Sequence, residues 1–278
     1  MRKIATGIYT ENKYPSVQLG VIVSDDGVLL IDNPIRLEDG RSWLSQVSEF
    51  GKAHYLVLLD HHPDRVVGAR DLNMPLIGHQ FTRQYLASRS DSFKGNTHPI
   101  GAETDRLKRI TGLTRAIPDL SFKYKMKIRL GQLEIEFWHN PGPTSGAIWV
   151  VNHKRKVLFI GDMVTVDEPP YVGAADISGW LKSLDFLRSS ELEGYRIISS
   201  RDGIIKRKQI NSMARFVRKL QVRVERLGRV SDLELASKIA ASEILASYKL
   251  SGTRADIAQF RLKVGLEDLF NKIYTSEA

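Results

Sequence analysis

Ala53-His54-Tyr55-Leu56-Val57-Leu58 is an apolar run of strand length. It breaks abruptly into Leu59-Asp60-His61-His62-Pro63-Asp64-Arg65 and closes at Gly68. The run reads as a buried strand, so two carboxylates, two imidazoles and a guanidinium crowd onto its C-terminal end. In layered α/β folds that end is where ligands and metals sit. The feature therefore points to a layered fold with a polar rim.

The rest of the pattern supplies the layers. Val17, Leu19, Val21 and Val23 alternate, Ser24-Asp25-Asp26-Gly27 supplies a turn, and Val28–Ile31 forms the second arm of a hairpin ending at Asp32-Asn33-Pro34. A helix fits Gly40 to Phe50, with Trp43, Leu44 and Val47 on one face, and Pro75–His79 leads into a helix from Thr82 to Ser88. Residues 89–117 are weakly patterned and read as an insertion or lid, with a short helix around Glu103 to Ile110. Alternation resumes at Phe122, Tyr124, Met126 and Ile128 and again at Leu133, Ile135 and Phe137. Apolar runs at 147–152, 157–160 and 196–199 complete the strands, with a helix from Ile177 to Arg188.

From about residue 205 the period changes. Ile210, Met213, Val217, Leu220, Val224 and Leu227 recur at spacings of three and four, one apolar stripe of a helix. Ser231 with Glu234 and Thr253 with Asp256 signal the starts of two more. The order of elements implies two β-rich halves packed sheet to sheet inside helical layers, followed by a helical extension at 205–278.

Three further polar segments follow apolar runs: His139-Asn140-Pro141-Gly142-Pro143-Thr144-Ser145-Gly146, Gly161-Asp162, and Ser200-Arg201-Asp202-Gly203. With these in place, the chain over residues 14–204 resembles the metallo-β-lactamase superfamily. The family's Thr-His-x-His-x-Asp-His run is matched by Leu59–Arg65, with Gly68 in register. Its Pro-Gly-His-Thr is matched by Pro141-Gly142-Pro143-Thr144, its Gly-Asp by Gly161-Asp162, and its final His-Gly by Asp202-Gly203. The hairpin ending at Ile31-Asp32 fits the family's opening pattern. The resemblance implies an αββα sandwich. It also implies a metal site at Asp60, His62, Asp162 and Asp202, with Asp64 as the general base that orients a water.

The same positions depart from the family's ligands. Asp60 and Arg65 stand where the family has His, and Pro143, which has no ligand atom in its side chain, replaces another. A guanidinium stays protonated and cannot ligate, so Arg65 reads as neutralising the site by pairing with the converging carboxylates. Asp64 and Asp202 with Arg65, and Arg201 beside them, would form a metal-free salt-bridge cluster. The alternative is one divalent ion, Zn²⁺, Mn²⁺ or Fe²⁺, held by two carboxylates and a His. His61 alternates away from His62 and reads as structural or exposed. Trp138, Trp149 and Trp180 read as core or pocket walls.

Composition narrows the functions. There is no cysteine, which excludes disulfides, thiolate metal sites and a Cys nucleophile and suits a cytoplasmic protein. No apolar run spans a membrane, and no Gly-x-Ser-x-Gly or Walker-type loop occurs. The net charge of +9 is local: residues 201–229 hold ten Lys/Arg against two acids, while the rest is near neutral. Arg215, Lys219 and Arg223 lie near one another at helical spacing, a stripe suited to phosphates, though a solvated helix face is the plainer reading and makes nucleic acid the less favoured partner. The apolar stripe suits packing on the other helices or a homodimer seam.

Three functions follow. The first expected is a metallo-hydrolase-like protein with an eroded site, weak or no activity and a small-molecule ligand. The others are a one-metal hydrolase of small esters, lactones or thioesters, and a nucleic-acid-associated protein.

Overall fold

The computed structural model describes residues 1–88 and 116–275. Seven strands form the first sheet, in chain order: β1 (Arg2–Ala5), β2 (Ile8–Glu11), β3 (Leu19–Ser24), β4 (Gly27–Ile31), β5 (Ala53–Val57), β6 (Leu76–His79) and β7 (Leu120–Phe122). Six form the second, again with consecutive strands as neighbours: β8 (Lys125–Leu130), β9 (Leu133–His139), β10 (Ile148–Asn152), β11 (Val157–Phe159), β12 (Arg196–Ser199) and β13 (Gly203–Ile205). The helices are α1 (Leu37–Val47), α2 (Pro63–Val66), α3 (Gln80–Ser88), α4 (Ile177–Phe186), α5 (Arg207–Leu227), α6 (Leu233–Leu245) and α7 (Gly252–Tyr274). None of them is long and apolar enough to cross a membrane.

Strand parity builds the layers, because successive side chains point to opposite faces. Leu29 and Ile31 of β4 and Val57 of β5 face Ile135, Phe137, Val150 and Phe159 of the second sheet, forming the inter-sheet core. Val28 and Leu30 turn outward onto Trp43 and Val47 of α1. On the far side of the second sheet, Trp149, Val151 and Leu158 meet Trp180 of α4, Val217 of α5 and Leu266 of α7. The result is the expected αββα sandwich, with the C-terminal helices packed into its outer layer rather than around a core of their own.

Several boundaries differ from the sequence reading, each for a local reason. The first helix starts at Leu37, three residues early, and ends in a 3-10 turn at Ser48–Phe50 before Gly51. α6 is capped by Asp232, whose carboxylate accepts from Leu235 N–H at 2.9 Å, and not by Ser231. α7 begins at Gly252 after Ser251. β1 and β2 are four residues each and carry too little alternation to be read from sequence. They hydrogen-bond to each other, and β2 pairs on to β3 with Tyr9 opposite Val21. The expected insertion at 89–117 and its short helix lie outside the described residues, except Ala116 and Ile117, which pack onto the α1 side of the first sheet.

Candidate functional site

The site lies at the C-terminal ends of two parallel strand pairs, one in each sheet. β4 and β5 run parallel with Ile31 opposite Val57, which sets Asp32 beside Leu59. β11 and β12 run parallel with Phe159 opposite Ile198, which sets Gly161-Asp162 beside Ser200-Arg201. Backbone bonds stitch the rims together: Ile148 N–H donates to Leu59 O at 2.9 Å, and Ser200 N–H to Gly161 O at 2.9 Å.

The polar run after β5 is itself the start of a helix. His62 caps α2, its Nδ1 accepting from Asp64 N–H at 3.3 Å, and Pro63 takes the first helical position, where a missing N–H costs nothing. This short turn directs Asp64 and Arg65 inward, and both are buried. Gly68, left-handed at φ 75°, ends it, and a Cβ there would meet Leu37 Cδ2 at 3.0 Å. Asp32 also adopts φ 57°, a strained conformation for a residue with a side chain. It is held by Oδ1 accepting from Leu59 N–H at 3.0 Å and Oδ2 accepting from the Ser200 hydroxyl at 2.9 Å.

Two guanidiniums organise these carboxylates. Arg65, wholly buried, places Nη2 2.6 Å from Asp162 Oδ2, and Nη1 3.4 Å from Asp60 Oδ2 and 3.6 Å from Asp32 Oδ2. Arg201 grips Asp162 from the other side: Nε lies 3.1 and 3.2 Å from the two carboxylate oxygens, and Nη2 3.1 Å from Oδ2. Its Nη1 donates to Asp64 Oδ2 at 3.2 Å and to Ser16 O at 2.7 Å, and its Nη2 lies 3.3 Å from His62 Nδ1. Trp180 Nε1–H donates to Met163 O at 2.9 Å, pinning the Asp162 loop to α4.

Electrostatics follow the packing. Burial raises Asp60 to about 6 despite Arg65, and raises Asp32 as well. Burial works against Asp162 too, but Arg201 and Arg65 outweigh it and hold its carboxyl well below the usual range. For Arg65, burial opposes the charge, yet Asp162, Asp60 and Asp32 together raise its pKa further. His62 is driven down to about 3, first by burial and then by Arg201, against the pull of Asp64. The neutral ring has Nδ1 as acceptor for Asp64 N–H, so its proton sits on Nε2, which is buried and has no hydrogen-bond partner among the described residues.

The structure thus gathers Asp60, His62, Asp64, Arg65 and Asp162 in one cluster. Asp202 lines the same cavity, but its carboxylate turns to the loop, accepting from Val166 N–H at 2.9 Å and Asp167 N–H at 3.3 Å. Burial raises its pKa. Asp32 and Ser200, which the sequence placed at strand ends without a site role, are members as well. Among the described residues, no group of three or more His, Asp or Glu is arranged to hold a metal ion. His61 is buried and stacked on Tyr85, with ring centroids 3.8 Å apart, a structural role.

A cavity of about 450 Å³ opens over Asp64, Asp162 and Arg201. Its roof is the 165–172 loop, tied down by α7: Arg261 Nη2 donates to Pro169 O at 2.8 Å, and Tyr171 Oη to Asp268 Oδ2 at 2.6 Å. Arg215, Lys219 and Arg223 stand outside this cavity, along a separate cleft beside α5.

Comparison with known proteins agrees with this architecture. The chain is similar in structure to a metallo-beta-lactamase from Pontibacter korlensis, at TM-score 0.60 and 15% identity over 78% of this chain and 97% of the other. It resembles the DIM-1 metallo-beta-lactamase at TM-score 0.58 and 18% identity, covering 78% and 96%. It also resembles a metallo-beta-lactamase family protein from Thermus thermophilus at TM-score 0.65 and 17% identity, covering 99% and 95%. These likenesses show the fold. No curated protein matches the chain. The model of the metallo-beta-lactamase superfamily matches residues 52–195, more than half of the sequence and the stretch from β5 to the threshold of β12, and the chain belongs to that superfamily.

Proposed function

We propose that this chain is a superfamily member whose site is held by guanidiniums instead of metal ions, and that the cavity over it binds a small polar ligand without metal-assisted hydrolysis. The observation that carries this reading is the double grip on Asp162. Both of its oxygens face Arg201, and Oδ2 also faces Arg65 at 2.6 Å. The residues present do not suit the divalent ions that the family resemblance implies. A cation bridging Asp162 would have to displace the buried guanidinium of Arg65 and the partly exposed one of Arg201, and stranding the buried charge of Arg65 would cost several kcal/mol. Pro143 offers no donor, Asp202 is engaged by backbone N–H groups, and the free nitrogen of His62 carries the ring proton.

In this reading Asp64 is a partner of Arg201 and not a water-orienting base. Arg201 is the one cluster cation that reaches the cavity, with 18% of its side chain exposed. It is the group best placed to meet a ligand.

The test is an assay of activated esters, a lactone and a thioester, each with and without Zn²⁺, Mn²⁺ or Fe²⁺. The expected result is no turnover that responds to metal and disappears in Asp162→Ala. Metal-dependent turnover lost in both His62→Ala and Asp162→Ala would replace this reading with that of a one-metal hydrolase.

A further inference from the structure

A second cleft, about 900 Å³, runs between α5 and the turn joining α6 to α7. Lys208, Arg215, Lys219 and Arg223 line one wall, and Lys249 and Arg254 come from the other side. Two lining carboxylates, Asp167 and Glu243, stand against them; Glu243 lies 3.4 Å from Arg223, and Glu168, from outside the cleft, lies 2.7 Å from Arg254. Among the described residues, Lys208, Lys219 and Lys249 have no carboxylate within ion-pair distance. The floor is apolar, made by Met213, Leu220 and Ile244, and the half-buried Phe216 and Tyr248, packed against the same core, also line it.

The cleft differs from an ordinary solvated helix face in two respects. Its cations converge from two elements on one concavity, where low-dielectric walls strengthen their field. Aromatic rings also sit among them, one held in place by an edge contact of Phe216 with Trp180 at 6.5 Å. A basic groove with aromatic platforms is the arrangement that holds a single strand of nucleic acid, phosphates on the cations and bases on the rings. The length favours a chain over a free nucleotide: from Lys208 to Arg223 the α5 wall extends about 22 Å at the helical rise.

We propose that this cleft binds a single strand of nucleic acid without strong sequence preference. The proposal does not rest on the reading of the Asp162 cluster, since none of the cluster's residues lines the cleft. The test is fluorescence anisotropy of the full chain with labelled twelve-nucleotide oligo(U) and oligo(dT) between 50 and 200 mM salt. Five phosphate contacts predict a fall in affinity of roughly 100-fold over that range. Arg215→Ala/Lys219→Ala/Arg223→Ala together, all partly or fully exposed helix positions that Ala suits, should weaken binding at least tenfold and flatten the salt slope by about 2. Arg207→Ala/Arg218→Ala/Arg226→Ala, on the same helix outside the cleft, should change affinity less than threefold. Tyr248→Leu should weaken binding several-fold at unchanged salt slope.

Four results would overturn the proposal. These are no binding at 50 mM salt, equal loss in the two triple variants, a mononucleotide bound as tightly as the oligomer, or inorganic polyphosphate bound as tightly with no effect of Tyr248→Leu. The last would assign the cleft to polyanions in general.

Discussion

At the scale of single residues, the site turns on two buried groups whose charges are set by their surroundings. Arg65 is the only cation facing Asp32 and Asp60 within 4 Å among the described residues. Arg65→Met should cost about 3–5 kcal/mol in urea unfolding, because it leaves buried carboxylates without a counter-charge. The loss should be smaller at pH 5 than at pH 8, since the Asp60 carboxyl, which burial raises to about 6, is mostly neutral at the lower pH. A loss that does not vary with pH would mean that the penalty is one of packing.

His62 gives the opposite sign. Its folded pKa of about 3 lies below the ordinary 6.5, so the unfolded chain takes up a proton that the folded chain refuses. Its contribution is complete above pH 6.5 and is lost as pH falls toward 3. His62→Gln should therefore lose roughly 2 kcal/mol less than the wild type between pH 6.5 and 4.5. Parallel stability curves would show that His62 does not titrate this way.

At the scale of elements, β5 and the turn α2 were legible because their signal is local: an apolar run, then a cap, a proline and a glycine. Asp60, His62, Asp64 and Arg65 fall together for the same reason. Asp32 was not legible as a site member, since its place depends on the parallel pairing of β4 with β5. Nothing within residues 28–34 reveals that partner. Asp202 and Arg201 are adjacent in sequence, and only the fold decides which turns to the cavity floor. Arg201 meets Asp162, while Asp202 caps the backbone of the 165–168 loop. β1, at the sheet edge, and β2, beside it, were missed because strands of four residues are too short to show alternation. The C-terminal stripe was read correctly as an apolar face; it packs on α4, α6 and α7 within the core that also takes in the second sheet.

That packing has a consequence for α7. Leu266 is fully buried in the same core as Trp149 and Trp180. Leu266→Ala should cost about 2–5 kcal/mol. Its unfolding transitions by tryptophan fluorescence and by helical circular dichroism should coincide. Two separate transitions would mean that the helices after residue 205 fold as an independent unit.

At the scale of the whole molecule, the sandwich brings four strand ends, two from each sheet, to one rim, and α7 ties down the loop above it. The superfamily's architecture is present, and in the proposed reading its rim carries carboxylates clamped by guanidiniums in place of donors for a cation. The fold could be read from the order of its landmarks. The state of the rim could not, because it depends on whether Arg65 and Arg201 point into the site or out to solvent, and both point in.

The most direct measurement is the metal content of the folded protein after incubation with Zn²⁺, Mn²⁺ and Fe²⁺ and removal of free ions. The account predicts well under one equivalent of each, unchanged in His62→Ala and Asp162→Ala. Near-stoichiometric metal that is lost in both variants would contradict it.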